Sequence, residues 1–301
     1  MKKKILILGL GSIGLLHANI LRKFKNVYKI FVFTKRGSNG FSKIRYLKDI
    51  KSLNPDYILI CSKTSDHFKH LSFVEKKLMN KTILVEKPLF DKNKKLKIKR
   101  NKVIVGYNLR YHPIIKFLKK KIINKKIYSI SIFCGSYLPD WRKTRNYKSI
   151  YSSSKKEGGG VLLDLSHELD YIQWIFGKIK KIEYAKTKKI SNLKITSDDY
   201  ANIIGKIKNI NFSINLNYFT KHKQRKIFID GNNISIEADL IKNTVKIIEK
   251  GKNKLIKYTV KKSFTYEVMH ADLLKKNFNI ACSFQDGKKL MTLIDKIKKL
   301  N

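Results

Sequence analysis

An apolar run, Ile5-Leu6-Ile7-Leu8, leads straight into Gly9-Leu10-Gly11-Ser12-Ile13-Gly14, and an amphipathic stretch, HANILRKF, follows. Three glycines at this spacing constrain the chain more than anything else in it. The first allows a tight turn, the second lets the backbone approach a ligand, and the third lets a helix pack closely on a strand. A helix that opens there points bare N–H groups and the positive end of its dipole into the loop, a setting for a diphosphate. Gly9, Gly11, Ser12, Ile13 and Gly14 are therefore the expected pyrophosphate contacts. The competing reading is a secretory signal peptide, since three lysines precede the apolar run. No small-x-small cleavage site follows, and Leu15, Ile20, Leu21 and Phe24 continue as one helical face. The expectation is a retained segment that binds a dinucleotide.

The first third alternates apolar runs with helical stretches. KILILGLG, KIFVFT, DYILICS, KTILVEKP and KVIVGYN read as strands; IGLLHANILRKF and HFKHLSFVEKKLMN read as helices. Such alternation means βαβ units and a parallel sheet covered on both faces. RYHPIIKFLKKKI reads as a helix leaving this domain. From about Ile127 strand-like runs follow one another, and GNN and EKGKNK supply hairpin turns. One long helix, GGGVLLDLSHELDYIQWIFG, interrupts them, and two more close the chain. The expected fold class is α/β: an N-terminal Rossmann dinucleotide-binding domain over 1–120, then an α+β domain over 121–301 with a large, mostly antiparallel open sheet. The last helix is free to pack back on the first domain.

The chain has 301 residues, 67 of them Lys or Arg against 22 Asp or Glu, for a formal charge of +45. A nucleic-acid-binding protein would explain that charge. The lysines, however, are scattered, only eight basic residues are arginine, and no zinc-finger, basic-zipper or RNA-recognition motif accompanies them. Base readout and buried phosphate contacts favour arginine, so no specific nucleic-acid partner is expected. No apolar run reaches the roughly 18 residues a membrane span needs. Cys61, Cys134 and Cys282 form neither a metal pattern nor a disulfide framework. A reducing, cytoplasmic setting and no metal follow as expectations.

The identity of the dinucleotide turns on the end of the second strand. NAD-binding proteins usually place Asp or Glu about 20 residues on, to bond the ribose 2′-OH. Here Thr34, Lys35 and Arg36 stand there with no carboxylate. A hydroxyl and two cations suit a 2′-phosphate, so NADP(H) is expected in preference to NAD(H).

Lys87 lies between an apolar strand and Pro88, at the carboxyl edge of the predicted sheet, where open α/β folds bind ligands. A lysine there can bond a substrate hydroxyl, and partial burial beside a cationic ring would lower its pKa toward the working range. In the predicted long helix Asp164 and His167 stand three apart and so neighbour each other, with Tyr171 and Trp174 on the same flank. A carboxylate beside an imidazole raises its proton affinity and orients it. His167 is the candidate acid–base group with Lys87, and Asp164 its orienter or a contact for a substrate hydroxyl.

GLGSIG, CSKTSDH after a strand, VEKP, GYNLRYHP and GGGVLLDLSHELD, in this order and spacing, resemble the Gfo/Idh/MocA oxidoreductases over nearly the whole chain. The resemblance implies a tightly held nicotinamide cofactor and hydride transfer at a secondary alcohol or ketone of a sugar. It also implies a Lys-Pro bond that is often cis. It places Ser62, Thr64, His67, Glu86, Lys87 and Asn108 near the cofactor, with Asp66 or Ser65 able to cap the helix at Thr64. Arg110 and Tyr111 are placed near the substrate, the former as a planar bidentate donor. Trp141, Arg142, Arg145 and Tyr147, in YLPDWRKTRNYKSIY, suit a sugar bearing an acidic or phosphate group. The stretch resembles members associated with bacterial surface carbohydrates, implying a nucleotide-linked or acidic amino sugar. The resemblance further implies a dimer or tetramer formed through the large sheet. One departure stands out: many members space the Asp and His four apart. A cofactor-sensing binding protein without catalysis is the alternative, and it would not need Lys87 and His167.

Overall fold

The computed structural model describes residues 3–35, 37–142 and 145–300. The chain divides into two compact units, Met1–Tyr111 with Ser263–Met291, and His112–Lys262 with Thr292–Asn301.

The first unit is a seven-stranded sheet. Strands β1 (Lys3–Leu8), β2 (Val27–Phe33), β3 (Ser42–Lys43), β4 (Tyr57–Ile60), β5 (Thr82–Val85) and β6 (Lys102–Val105) run parallel in the order β6-β5-β4-β1-β2-β3. The short strand Cys282–Ser283 adds antiparallel to the outside of β6. Strand order reverses between β1 and β4, the switch point at which a doubly wound sheet opens a crevice. β4 and β5 are buried along their whole length, as parallel strands covered on both faces must be. Helices α1 (Ser12–Leu21) and α2 (Thr64–Lys77) follow β1 and β4.

The sequence reading put the domain boundary at residue 120. Here the first unit closes at Tyr111 and takes back Ser263–Met291. The reason is apolar burial: Met269, Leu273, Leu274 and Ala281 share one core with Ile5, Ile7, Ala18, Leu21 and Tyr57. A helix spanning Phe264–Leu274 supplies the first three.

The second unit is built on an eight-stranded sheet of β7 (Ile127–Gly135), β8 (Ile179–Lys188), β9 (Tyr200–Ile207), β10 (Ile210–Asn217), β11 (Gln224–Gly231), β12 (Ile234–Asp239), β13 (Thr244–Glu249) and β14 (Lys252–Lys257). Its order is β14-β13-β12-β11-β7-β10-β9-β8, antiparallel except for β7 beside β10. One face is core: Ile130 and Ile132 of β7, Ile214 and Leu216 of β10, Ile227 and Ile229 of β11. The other carries a lateral row in register, Phe228-Ser131-Ser213-Ile204-Tyr184, in which the three large apolar side chains are exposed. Helix α3 (Pro113–Lys121) begins this unit, with proline at its first turn and His112 as its cap.

The long helix expected across GGGVLLDLSHELDYIQWIFG is broken. Val161–Asp164 forms one turn, and α4 (His167–Phe176) starts afresh after Leu165 and Ser166. The Ser166 hydroxyl donates to the Leu163 carbonyl at 2.8 Å, the kind of local bond that competes with helix continuation. Apolar stripe and polar flank also fail as a description, because every residue from 161 to 172 is buried.

Candidate active site

Each unit carries part of the predicted chemistry. In the first, the carboxyl ends of β1, β4, β5 and β6 present Gly9, Ser62, Glu86-Lys87 and Asn108 along one edge of the sheet. The glycine loop is dictated by contact. A Cβ on Gly14 would lie 2.1 Å from the Gly9 carbonyl oxygen, so no other residue lets α1 start this close to β1. Gly9 has φ +96°, in the region that favours glycine. At Gly11, by contrast, a Cβ would meet nothing within 4 Å. Gly11 is the N-cap of α1, no side chain caps it, and the first turn holds no acidic residue. A bare, positively polarised helix start beside an open approach fits a diphosphate. Ser12 is exposed and Ile13 half-buried at its first turn. At the end of β2, Thr34 is half-buried and Lys35 exposed, and Arg36 lies outside the described residues.

Ser62 and Thr64 stand where expected, at the end of β4 and the start of α2. Two other expectations there need correction. Lys63 occupies the cap position of α2 without a side-chain bond, so neither Asp66 nor Ser65 caps it. His67 does not face outward toward a cofactor. It is 1% exposed, and its ring nitrogens lie 3.1 Å from the carbonyl oxygens of Pro88 and Ser62, bracing the two loops. Burial pushes its pKa down, against the pull of those carbonyls. Ser62 Oγ instead meets His70 Nδ1 at 2.9 Å.

Lys87 is half-buried just past β5, and its bond to Pro88 is cis. The segment Asn108–Tyr111 turns inward more than the sequence suggested. Asn108 donates to Thr265 Oγ1 at 2.7 Å. Arg110 is 5% exposed and reaches the Ala281 carbonyl at 3.4 Å and Asp286 Oδ2 at 3.5 Å, so its guanidinium is engaged inside the first unit. Tyr111, expected at the substrate, is a core residue with 1% exposure. Its ring and that of Tyr107 are the largest side chains GYNLRYHP has to bury.

In the second unit Asp164 ends its one-turn helix as the acceptor of two phenols, Tyr218 at 2.6 Å and Tyr151 at 2.7 Å. Tyr218 stands edge-on to Trp141, ring centroids 5.2 Å apart, and Arg142 lies over Tyr151 at 5.9 Å. Trp141 Nε1 donates to Ser136 Oγ at 2.9 Å. Trp141, Arg142 and Asp164 thus belong to one array, which Tyr151 and Tyr218, not singled out from sequence, join. Tyr147 lies apart, its hydroxyl accepting from the Lys194 amide at 3.3 Å, and Arg145 is exposed. His167 opens α4 and is 8% exposed. The helix break removes the i, i+3 argument that made Asp164 its orienter. Trp174 leaves the expected flank as well: the Lys119 ammonium stacks on its ring at 4.3 Å.

The glycines before this turn answer a second carboxylate. Gly160 has φ +130°, and a Cβ there would sit 2.4 Å from Asp198 Oδ1. Asp198 Oδ2 accepts from the Leu162 amide at 3.2 Å. Burial raises the pKa of Asp198, against that bond. Behind α4, fully buried Glu168 takes a bidentate pair from Arg225, 2.7 Å from Nε to Oε1 and 3.3 Å from Nη2 to Oε2. Neither residue was singled out from sequence. Arginine is scarce in this chain, a mark that Arg225 shares with Arg110. Among the described residues no group of three or more His, Cys, Asp or Glu is placed to hold a metal ion. No described helix is long and apolar enough to cross a membrane.

Residues 117–237 match the family model described as GFO/IDH/MocA C-terminal domain. The matched segment lies within the second unit. It is 28% identical over 229 residues to the glucose-6-phosphate 3-dehydrogenase of Bacillus subtilis, covering 69% of this chain and 65% of that one. The match thus spans a little under two thirds of the relative's length. Two solved structures share the fold across the chain. The UDP-N-acetylglucosamine 3-dehydrogenase GnnA from Acidithiobacillus ferrooxidans has TM-score 0.78 at 12% identity, covering 100% of this chain and 98% of the other. The WlbA dehydrogenase from Bordetella pertussis, solved with NADH and UDP-GlcNAcA, has TM-score 0.77 at 15% identity, covering 100% and 96%. The Rossmann-like parallel sheet and the second, mostly antiparallel sheet are the fold that these solved structures share with this chain.

Proposed function

We propose that this chain is a Gfo/Idh/MocA oxidoreductase, a nicotinamide-dependent dehydrogenase acting on a secondary alcohol or ketone of a sugar. The observation that carries the reading is the loop from β1 to α1 at the switch point, where Gly14 is forced by contact and Gly11 leaves the approach open. A nicotinamide dinucleotide held there supplies the hydride acceptor or donor. Gly9, Gly11, Ser12, Ile13 and Gly14 grip its diphosphate with main-chain amides, while Ser62, Thr64, Glu86 and Asn108 flank it along the sheet edge. His67 supports that edge from behind. Lys87 Nζ and the His167 ring are the groups that handle the proton accompanying hydride transfer. A positioned acid–base group contributes on the order of 10²–10⁴-fold. Asp164, held by two phenols, bonds a sugar hydroxyl. The matched relatives are named for sugar and nucleotide-sugar dehydrogenation, and Trp141 with Arg142 beside Asp164 suits an acidic or nucleotide-linked sugar. Thr34 and Lys35 in place of a carboxylate support NADP(H) over NAD(H). The exposed apolar row on the large sheet supports association with a second copy, to be checked by the mass in solution.

The test is turnover on nucleotide-linked and phosphorylated hexoses with each cofactor. Lys87→Met should lower kcat by about 10²-fold or more with cofactor affinity unchanged, and kcat/KM should be higher with NADP(H). Full activity of the variant removes the mechanism, and a higher value with NAD(H) removes the cofactor preference.

A further inference from the structure

The first unit holds a line of polar side chains that ends at Glu86, and its other three members have no part in this chemistry. Tyr57 opens β4 at the amino edge of the sheet, and its hydroxyl lies 3.0 Å from His270 Nδ1. His270 Nε2 lies 2.7 Å from His17 Nδ1, and His17 Nε2 lies 2.9 Å from Glu86 Oε1. Both imidazoles are 0% exposed, Tyr57 is 2% and Glu86 is 6%. Glu86 stands just beyond the carboxyl end of β5 and precedes Lys87. Three hydrogen bonds therefore lead from one edge of the parallel sheet to the other, through side chains of α1 and the helix Phe264–Leu274.

The proton count gives the line a direction. Three bonds need three protons. With Glu86 ionised and both rings neutral, Tyr57 O–H donates to His270 Nδ1, His270 Nε2–H to His17 Nδ1, and His17 Nε2–H to Glu86. Every buried polar atom in the line is then satisfied, as buried networks require. Burial pushes the His270 pKa well down, and the neighbouring His17 adds to that, so the neutral ring is the favoured form.

The far end reaches water. Tyr57 lines a cavity of about 60 Å³ together with Lys3, Asp56, Asn80, Thr82 and Lys276, and Asn80 and Lys276 are exposed. A polar cavity of that size holds water.

We propose that Tyr57, His270 and His17 relay protons between this cavity and Glu86. In one passage the Tyr57 proton moves to His270 Nδ1, the His270 Nε2 proton to His17 Nδ1, and the His17 Nε2 proton to Glu86 Oε1. Each bond to hydrogen that breaks is matched by one that forms, no electrons change hands, and water in the cavity replaces the Tyr57 proton. The directed bonds deliver toward Glu86, the sense that reduction of a carbonyl demands, and the reverse passage returns the proton. Use of the proton by Lys87 rests on the proposed dehydrogenase reading, whereas the relay itself does not. The three residues touch no substrate and act through Glu86.

The full chain labelled with ¹⁵N-histidine tests this without substrate. His17 and His270 should both appear as neutral rings protonated on Nε2. Tyr57→Phe should slow exchange of the His17 ring proton with water by about tenfold, a barrier increase of about 1.4 kcal/mol. His270→Gln, which keeps a polar contact but carries no proton onward, should slow it similarly. In carbonyl reduction both variants should raise the solvent isotope effect on kcat and leave cofactor affinity unchanged. An Nδ1–H tautomer in either ring, or exchange as fast in both variants as in the parent chain, overturns the relay. Normal ring exchange behaviour with no turnover on any sugar leaves the relay standing and removes the dehydrogenase reading instead.

Discussion

Two glycine clusters each open a helix in this chain, and the contrast between them is instructive. GLGSIG opens α1 with a bare start: no side chain caps Gly11 and no acid stands in the first turn. GGG opens the turn Val161–Asp164 with its positive end already answered, since Val161 and Leu162 donate to the carbonyl and carboxylate of Asp198. The same residue type thus leaves an uncapped helix start in one place and closes a carboxylate-capped turn in the other. The first region is made of main chain; the second is made of side chains sent from β10, β11 and the loops before β9. Removing a side chain should therefore damage the second region far more than the first.

The largest effect expected is at Arg225. Glu168 is fully buried and Arg225 supplies its bidentate partner. Arg225→Met strands that carboxylate and should cost about 3–5 kcal/mol of stability, read by urea unfolding, while Glu168→Leu in the same chain should recover most of it. Arg22, exposed at the end of α1, should tolerate the same change within about 0.5 kcal/mol. Equal losses at both positions would erase the contrast.

A smaller effect depends on pH. His112 caps α3 by accepting the Ile114 amide on Nδ1 at 3.2 Å, which requires that nitrogen to be unprotonated. Burial pushes its pKa down to about 4. The sign follows from proton counting: between about pH 6.5 and 4 the unfolded chain binds the proton and the folded one does not, so stability falls as pH falls through that window. At about 1.4 kcal/mol per pKa unit the loss approaches about 3.5 kcal/mol below pH 4. His112→Asn keeps a capping acceptor and should flatten that window in acid titrations followed by circular dichroism. An unchanged pH slope would show that other groups carry it.

The same contrast explains what could be read from the sequence. Gly9, Gly11 and Gly14 announce the first region because a main-chain site leaves its demands in the residues that form it. The strands were legible too, in their alternation of apolar runs and turn residues. The array at Asp164 was half legible: Trp141 and Arg142 stood out by type, whereas Tyr218 came from just past the end of β10, 54 residues away, with no local mark. Ser166 broke the expected helix because hydrophobic periodicity is blind to one hydroxyl bonding a carbonyl three residues back. Ser263–Met291 returned to the first unit for apolar contacts that only the folded chain makes.

The smallest change in stability makes the sharpest test. Gly11 has φ −75° and ψ −170°, a conformation open to alanine, and a Cβ there meets nothing within 4 Å. Gly11→Ala should therefore alter folding stability by less than about 0.5 kcal/mol, in contrast to Gly14, where a methyl group runs into the Gly9 carbonyl. Yet that methyl group stands in the approach to the amides of α1. Holding a phosphate off those amides by even a fraction of its contact distance should weaken cofactor binding about tenfold, or about 1.4 kcal/mol, in a fluorescence titration with either reduced nucleotide. A variant that folds normally and binds normally would mean that the bare start of α1 is not where the diphosphate rests. Weakened binding in a chain that unfolds at the same urea concentration would separate the demand of the ligand from that of the fold, at a residue where the protein itself has no use for glycine.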